Sequence, residues 1–375
     1  MTQTKLKTDR MSVSWWRTDF GEADIQAVTN AINAVHISQG PVTLDFELRI
    51  AKALGVPYVV ATSSGSVAIL MALMALGIGR DDEVIVPNRT WIATAHAPLM
   101  LGAKVKVVDV LPNVPIMDVS QLKDKITSRT KAIIPVSLNG RAVDMEQIWT
   151  IADEFGLAVV EDAAQSLFSK RSGKYMGTES DAGCFSLSIA KLIPTGQGGF
   201  VVTRQKEIYE NLKRIRMHGV DDVIHCNFYQ MGFNFRFTDL QASIGIAQLN
   251  CVEKRIKYLK EVYTRYEEEL KQFSFLKLIP VDISRGEIPI YVEVLCKERE
   301  KLVIFLANEG IQTRPIYPNL ETAVYLGVSG EFPNAKVFSE QGLVLPCGPG
   351  QSLDNINRVI DMLRLYEEES DEIRD

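Results

Sequence analysis

Between residues 58 and 203 the chain repeats one pattern: a short apolar run, a turn of small residues, then a stretch long enough for a helix. The runs fall at 58–61, 83–87, 104–109, 132–136, 157–161, 184–188 and 199–203, with helical stretches at 67–76, 92–101 and 145–155 between them. Strands buried on both faces read as continuous apolar runs, and parallel neighbours need a crossover that is usually a helix. The pattern therefore predicts an α/β fold in three layers, a large mostly parallel sheet with helices on both faces.

After residue 204 the texture changes. A charged helix is expected over 238–273, then a smaller C-terminal α/β portion over 276–366, with strands near 288–296 and a helix at 301–309. A chain of 375 residues is long enough for two such units. The boundary is placed near residue 250, giving a large domain over 1–250 and a small one over 251–375. Ahead of the first strand, helices are expected at 24–35 and 46–54. Residues 1–14 read as a mobile start and the acidic tail 367–375 as frayed.

Composition removes several classes. A net charge of -6 without a basic block offers nothing to nucleic acid. The most apolar run, 67–79, is shorter than the roughly 20 residues that span a bilayer, so no membrane partner is expected. Residues 1–10 are lysine-rich and lack the apolar stretch of a signal peptide. The five cysteines are scattered and form no CxxC pair. That argues against a disulfide framework or zinc site and fits a reducing compartment, so a cytoplasmic protein is expected. The four histidines form no ligand pair, so no metal is expected. No GxGxxG, GxxxxGK[ST] or GxSxG occurs, which leaves dinucleotide, P-loop and α/β-hydrolase chemistry without their usual support.

Lys191 carries the most chemistry. It lies in Ser186-Leu187-Ser188-Ile189-Ala190-Lys191-Leu192-Ile193-Pro194, just ahead of the glycine-rich turn Gly196-Gln197-Gly198-Gly199. Upstream, the apolar strand at 157–161 runs into Glu161-Asp162. A lysine among apolar neighbours and a carboxylate at a strand's C-terminal end are what pyridoxal 5'-phosphate chemistry needs: an amine to form the Schiff base and an acid to hold the pyridine nitrogen protonated. Glu161-Asp162 also reads as a helix N-cap pair. Ser63-Ser64-Gly65-Ser66, between a strand and a helix, suits an anion at the helix N-terminus, and equally a plain N-cap with a flexible turn. Ser186 can add a second phosphate contact. Trp91, at a strand-to-helix turn, is either a stacking partner for a flat ring or an ordinary core or interface tryptophan. Gln165 can reach a ring hydroxyl. Asn139 and Arg141 follow the strand at 132–136, and Arg141 reads either as an anion clamp or as a surface arginine.

These residues resemble the DegT/StrS family of sugar aminotransferases, fold type I pyridoxal-phosphate enzymes, in a match running from about Trp16 to Tyr366. It rests on Thr62-Ser63-Ser64-Gly65-Ser66, Glu161-Asp162-Ala163-Ala164-Gln165 and Ser186 through Lys191 to Gly199. Met217-His218-Gly219, Gly232-Phe233-Asn234-Phe235-Arg236, Gly310-Ile311-Gln312-Thr313-Arg314-Pro315 and Leu345-Pro346 follow in order. The resemblance implies Lys191 as Schiff-base lysine and general acid/base, and Asp162 as partner of the pyridine nitrogen. It implies Gln165 at the ring hydroxyl, Gly65, Ser66 and Ser186 at the phosphate, and Trp91 stacked on the ring. Asn234 would reach the phosphate of a neighbouring subunit, which makes a homodimer with shared sites part of the expectation.

Two stretches depart from the family. Ser137-Leu138-Asn139-Gly140 stands where many relatives have His-x-Tyr-Gly, and Ile316-Tyr317-Pro318 where many have His-Tyr-Pro. Both fall on the family's substrate side, where Asn139, Arg141 and Arg314 are placed. Lys191 is kept where dehydrating relatives carry histidine, which favours transamination. The implied reaction takes an amino group from L-glutamate to a keto-sugar. Thr313-Arg314-Pro315 and Leu345-Pro346 look most like perosamine-forming members, hence a nucleotide-linked 4-keto-6-deoxy-hexose for a surface glycan. A small phosphorylated or cyclitol ketone is the alternative acceptor, and a non-catalytic regulator on the same fold the alternative of another class.

Overall fold

The computed structural model describes residues 12–222, 224 and 226–372. Two helices come first, α1 (Glu22–Asn33) and α2 (Pro41–Leu54). The strands of the large sheet are β1 (Tyr58–Thr62), β2 (Glu83–Pro87), β3 (Lys104–Val108), β4 (Thr130–Ile133), β5 (Ala158–Asp162), β8 (Ala182–Ser186) and β9 (Gly199–Thr203), with a small hairpin, β6 (Lys170–Arg171) and β7 (Lys174–Tyr175), between β5 and β8. The helices of this part are α3 (Gly65–Ala75), α4 (Ala93–Met100), α5 (Leu122–Lys125), α6 (Met145–Phe155) and α7 (Lys206–Arg216). The sheet order is β1-β9-β8-β5-β4-β2-β3. Only β9 runs antiparallel to its neighbours, so the expected mostly parallel sheet is present. β2 is buried at every position, as a strand covered on both faces must be.

The helix expected over 238–273 is broken. α8 (Asp239–Asn250) stops at Cys251, whose ψ of 1° leaves the helical range, and α9 (Val252–Glu269) sets off anew. The turn lets Arg255, 4% exposed, donate to the carbonyls of Asp19 at 2.5 Å and Leu192 at 3.4 Å. A buried arginine needs such acceptors, and a straight helix would not deliver it to them.

The second sheet is formed by β10 (Leu276–Leu278), β11 (Val292–Cys296), β12 (Arg314–Pro315) and β13 (Gly342–Leu345) in the order β10-β11-β13-β12, antiparallel throughout. Helices α10 (Arg299–Asn308), α11 (Pro333–Gln341) and α12 (Leu353–Glu372) pack with it. The strand expected over 288–296 starts only at Val292: Pro289 has no N–H to give a ladder, and the Tyr291 amide and carbonyl are both taken by the Asn139 side chain.

The expected mobile start is corrected for residues 12–14. Val13 is fully buried and bridges Ile311, and Trp16 bridges Cys347, so this segment is stitched to the second sheet. The expected frayed tail is helical through Glu372; residues 1–11 and 373–375 lie outside the described residues. No helix among the described residues is long and apolar enough to cross a membrane.

Candidate active site

A cavity of about 400 Å³ opens where β1, β5 and β8 end and the second sheet faces them. Ligands in open α/β sheets bind outside the carboxyl ends of the strands. Ser64, Gly65, Ser66, Trp91, Asp162, Gln165, Ser186, Lys191 and Arg314 all line it. Eight expected site residues, Gly65 to Arg314, scattered over some 250 positions of sequence, are thus brought to one wall or another of one pocket, with Ser64 beside them.

Asp162 is the last residue of β5 and is 5% exposed. Strand alternation sends its neighbour Glu161 to the opposite face, where it accepts from Ser137 at 2.8 Å and pairs with Arg171 at 3.4 Å. Asp162 Oδ2 accepts from Thr94 Oγ1 at 2.7 Å and Oδ1 from the Ala164 amide at 3.2 Å. The Thr94 proton is committed to Asp162, so Thr90, 2.8 Å away, donates to Thr94. Burial holds the Asp162 carboxyl above the usual range, and the Thr94 and Ala164 hydrogen bonds and the Lys191 charge draw it back. The threonine relay and the amide fix the carboxylate's orientation.

Lys191 sits in the turn after β8, half-buried, its amide bonded to the Ser188 carbonyl at 3.1 Å. Burial lowers its ammonium to about 8; Asp162 opposes that shift and Arg314 adds to it. The preceding backbone is held from two sides. Thr18 donates to the Ile189 carbonyl at 2.9 Å and the Tyr291 hydroxyl to the Ala190 carbonyl at 2.8 Å. Tyr291, which leads into β11, is packed edge-on against Trp16 and beside Trp15. The second sheet and the N-terminal segment thereby position the lysine.

At the other side of the pocket, α3 begins at Gly65 with Ser64 as its N-cap, accepting from Val67 N at 3.2 Å. The Gly65 and Ser66 amides have no acceptor among the described residues, as expected for the first turn of a helix. Glycine is required here by close approach: a Cβ on Gly65 would lie 2.8 Å from Ser186 Cβ, and one on Gly199 2.6 Å from the Ser64 carbonyl carbon. The two glycines seat the Ser186 hydroxyl against free amides at a positive helix end, which is an anion site.

The residues present fit pyridoxal 5'-phosphate. Gly65, Ser66 and Ser186 supply donors for a phosphate, Asp162 an oriented carboxylate for a pyridine nitrogen, and Lys191 an amine that sheds its proton near neutral pH. Trp91 is 49% exposed and meets Tyr317 edge-on at 5.5 Å, so it offers a ring to the pocket.

Three expected residues sit elsewhere. Asn234 is exposed and outside the pocket lining. Arg141 and Asn139 are buried and also outside it. The Arg141 guanidinium is spent on Glu293 at 2.6 Å and on the carbonyls of Pro280 at 2.8 Å and Ile279 at 3.1 Å. It is neither the anion clamp nor the surface arginine of the sequence reading, because it is buried behind the pocket wall and all three of its nitrogens are turned to Glu293 and to backbone carbonyls. The Asn139 side chain takes the Tyr291 amide at 2.7 Å and gives to the Tyr291 carbonyl and to Glu293, each at 3.0 Å. Its φ of 54° is left-handed, which asparagine tolerates.

Sequence reasoning missed Thr94, Trp15, Tyr291 and Glu293; Tyr317, placed on the substrate side with Ile316 and Pro318, does line the pocket. Glu293 alone carried a local signal, a carboxylate inside the apolar run Tyr291-Val292-Glu293-Val294-Leu295, which calls for a buried partner.

Comparison with known proteins agrees with this geometry. A model of the DegT/DnrJ/EryC1/StrS aminotransferase family matches residues 18–364. The chain is 32% identical to GDP-perosamine synthase of Caulobacter vibrioides, with 94% of this chain and 97% of that one covered. It is 35% identical to GDP-perosamine synthase of Escherichia coli O157:H7, with 88% and 91% covered. The crystal structure of a DegT DnrJ EryC1 StrS aminotransferase from Brucella abortus superposes with a TM-score of 0.86 at 28% identity, over 92% of this chain and 95% of that one. The chain belongs to the DegT/DnrJ/EryC1/StrS aminotransferase family and is accordingly a pyridoxal-phosphate-dependent aminotransferase.

Proposed function

We propose that the protein moves an amino group from L-glutamate to a nucleotide-linked keto-sugar, a 4-keto-6-deoxy-hexose in the first instance, for assembly into a surface glycan. The observation that carries the reading is Lys191 and the oriented Asp162 on one pocket with the anion cradle of Gly65, Ser66 and Ser186. The acceptor class is supported by two relatives, 32% and 35% identical, that are GDP-perosamine synthases.

Bound between these groups, pyridoxal phosphate supplies an aldehyde to carry the amino group and a ring that absorbs the electrons released when a C–H bond breaks. Lys191 would hold the cofactor through its amine and would serve as the base and acid that moves the proton. An amine that titrates near 8 is uncharged often enough at neutral pH to accept that proton, and acidic enough to return it. Asp162 keeps the ring nitrogen protonated. Thr94 and Thr90 hold Asp162 in place. Trp91 and Ala164, both in the pocket lining, would face the ring, and Tyr291 keeps the lysine turn from drifting.

Two copies would share these sites. Asn234 belongs to an exposed stretch that also carries Phe228, 80% exposed, Met231, 67%, and Phe233, 51%, an apolar surface of the kind that marks an interaction site. In this reading Asn234 crosses to the phosphate of the second copy, and the break at Cys251 separates a large unit from a small one. The five cysteines form no disulfide, which fits a reducing cytoplasm.

The test is a panel of keto-sugars offered to the purified enzyme with L-glutamate, products read by mass spectrometry. Conversion of a GDP-linked 4-keto-6-deoxy-hexose to the amino sugar, with 2-oxoglutarate released in equal amount, supports the proposal. Conversion of small phosphorylated or cyclitol ketones alone would replace the acceptor, and no conversion of any ketone would sink it.

A further inference from the structure

The pocket wall where a cationic clamp was expected presents a carboxylate, one side of which is held in a buried ion pair. Glu293 lies on β11 and lines the same pocket as Lys191. Its side chain keeps only 6% of its surface open. Oε2 accepts from Arg141 at 2.6 Å and from Asn139 at 3.0 Å. The other oxygen has no donor among the described residues. Arg141 and Asn139 approach from outside the pocket, and the remaining polar atoms of each are engaged by backbone groups.

What a ligand meets at this wall is therefore a carboxylate oxygen, which only accepts. A hydroxyl or amine satisfies it. A carboxylate or phosphate would bring a second acceptor against it with no proton between them, a mismatch that rejects the wrong ligand. Arg314 also lines the pocket, stacks over Trp15 at 4.6 Å and pairs with no carboxylate among the described residues, so anionic groups of donor or nucleotide have a different partner.

The geometry points to Glu293 as a specificity-determining residue: it takes a hydroxyl of a neutral keto-sugar and turns away keto-uronates and phosphorylated ketones. Arg141 and Asn139 are positioning residues that hold it. The departure Ser137-Leu138-Asn139-Gly140 acquires a physical role, since Asn139 is the residue that ties the turn after β4 to Tyr291 and Glu293. The inference rests on the nucleotide-linked keto-sugar reading given above.

The test uses the holoenzyme and two unreactive probes on one nucleotide, a GDP-linked hexose and the matching GDP-linked hexuronate, titrated calorimetrically. Wild type is expected to bind the hexose at least about tenfold more tightly. Glu293→Gln, whose amide can donate, narrows the ratio to roughly threefold or less, chiefly by tightening the hexuronate. Glu293→Asp keeps the charge but withdraws it by one methylene. It weakens the hexose several-fold and raises KM for the keto-sugar, and it binds the hexuronate no more tightly than wild type does. Should the glutamine variant fail to fold, the aspartate variant decides alone: an unchanged hexose affinity, or a tightened hexuronate, overturns the inference. Equal binding of both probes by wild type, or an unchanged ratio in Glu293→Gln, overturns the inference and leaves the nucleotide-sugar reading standing. Failure of wild type to bind either probe overturns both.

Discussion

Replacing Lys191 by Met tests whether the pocket disfavours its charge. In the folded protein burial lowers the ammonium from 10.5 to about 8. The unfolded chain therefore binds a proton that the folded one has lost between those values, and stability rises with pH across that window. Below about pH 8 the folded state bears the full cost of the charged amine, and the cost fades toward pH 10.5. A shift of that size corresponds to about 3 kcal/mol. Partial exposure of the lysine reduces this to roughly 2 kcal/mol between about pH 7 and pH 10. The assay is urea denaturation of cofactor-free wild type and Lys191→Met over that range. The difference between them cancels every titration except that of Lys191 and its coupling to Asp162. Wild type is expected to gain roughly 2 kcal/mol on the variant as pH rises. A flat difference would mean that the amine is solvated like a surface lysine. A difference that falls when the series is carried above pH 10.5 would mean that Asp162 outweighs burial and holds the ammonium charged, and either result refutes the argument that the pocket itself prepares the amine.

Arg141→Met leaves Glu293 buried with one donor fewer and should cost about 3–5 kcal/mol; adding Glu293→Leu should recover much of it, and strict additivity in urea denaturation would show the pair uncoupled. Gly65→Ala suits a helix start but sets a Cβ 2.8 Å from Ser186 Cβ. The clash should cost about 1–3 kcal/mol, felt as a tenfold or greater loss of pyridoxal phosphate affinity by fluorescence titration. Asp162→Asn retains the Thr94 hydrogen bond but not the charge, so kcat should fall by about 10²–10⁴ with an unchanged near-ultraviolet dichroism spectrum.

The large sheet was legible because its strands are buried on both faces and announce themselves as apolar runs. β2 was read to the residue for that reason. The pocket was legible where a short stretch carries its own geometry: Ser64-Gly65-Ser66 at a helix start, Asp162 at a strand end, Lys191 before glycines. Two kinds of feature were not. The break at Cys251 is invisible in periodicity, since residues on both sides keep helical spacing and only the destination of Arg255, the carbonyls of Asp19 and Leu192, demands a turn. Partners across the cleft were equally hidden. Arg141 and Glu293 are 152 positions apart, and nothing local tells an arginine that clamps a ligand from one that clamps a carboxylate. Thr94 and Tyr291 belong to the same class, ordinary residues whose value comes from what the fold brings within 3 Å of them.

The central claim is that Lys191, Asp162 and the α3 cradle form a working aminotransferase site. An absorption spectrum of the purified enzyme tests it most directly, before and after L-glutamate and again after a GDP-linked keto-sugar, with Lys191→Ala in parallel. The visible band of bound pyridoxal phosphate is expected to fade with glutamate and return with the keto-sugar, and the variant to do neither. A protein that stays colourless after the cofactor is added, or a variant that cycles as wild type does, would contradict the account.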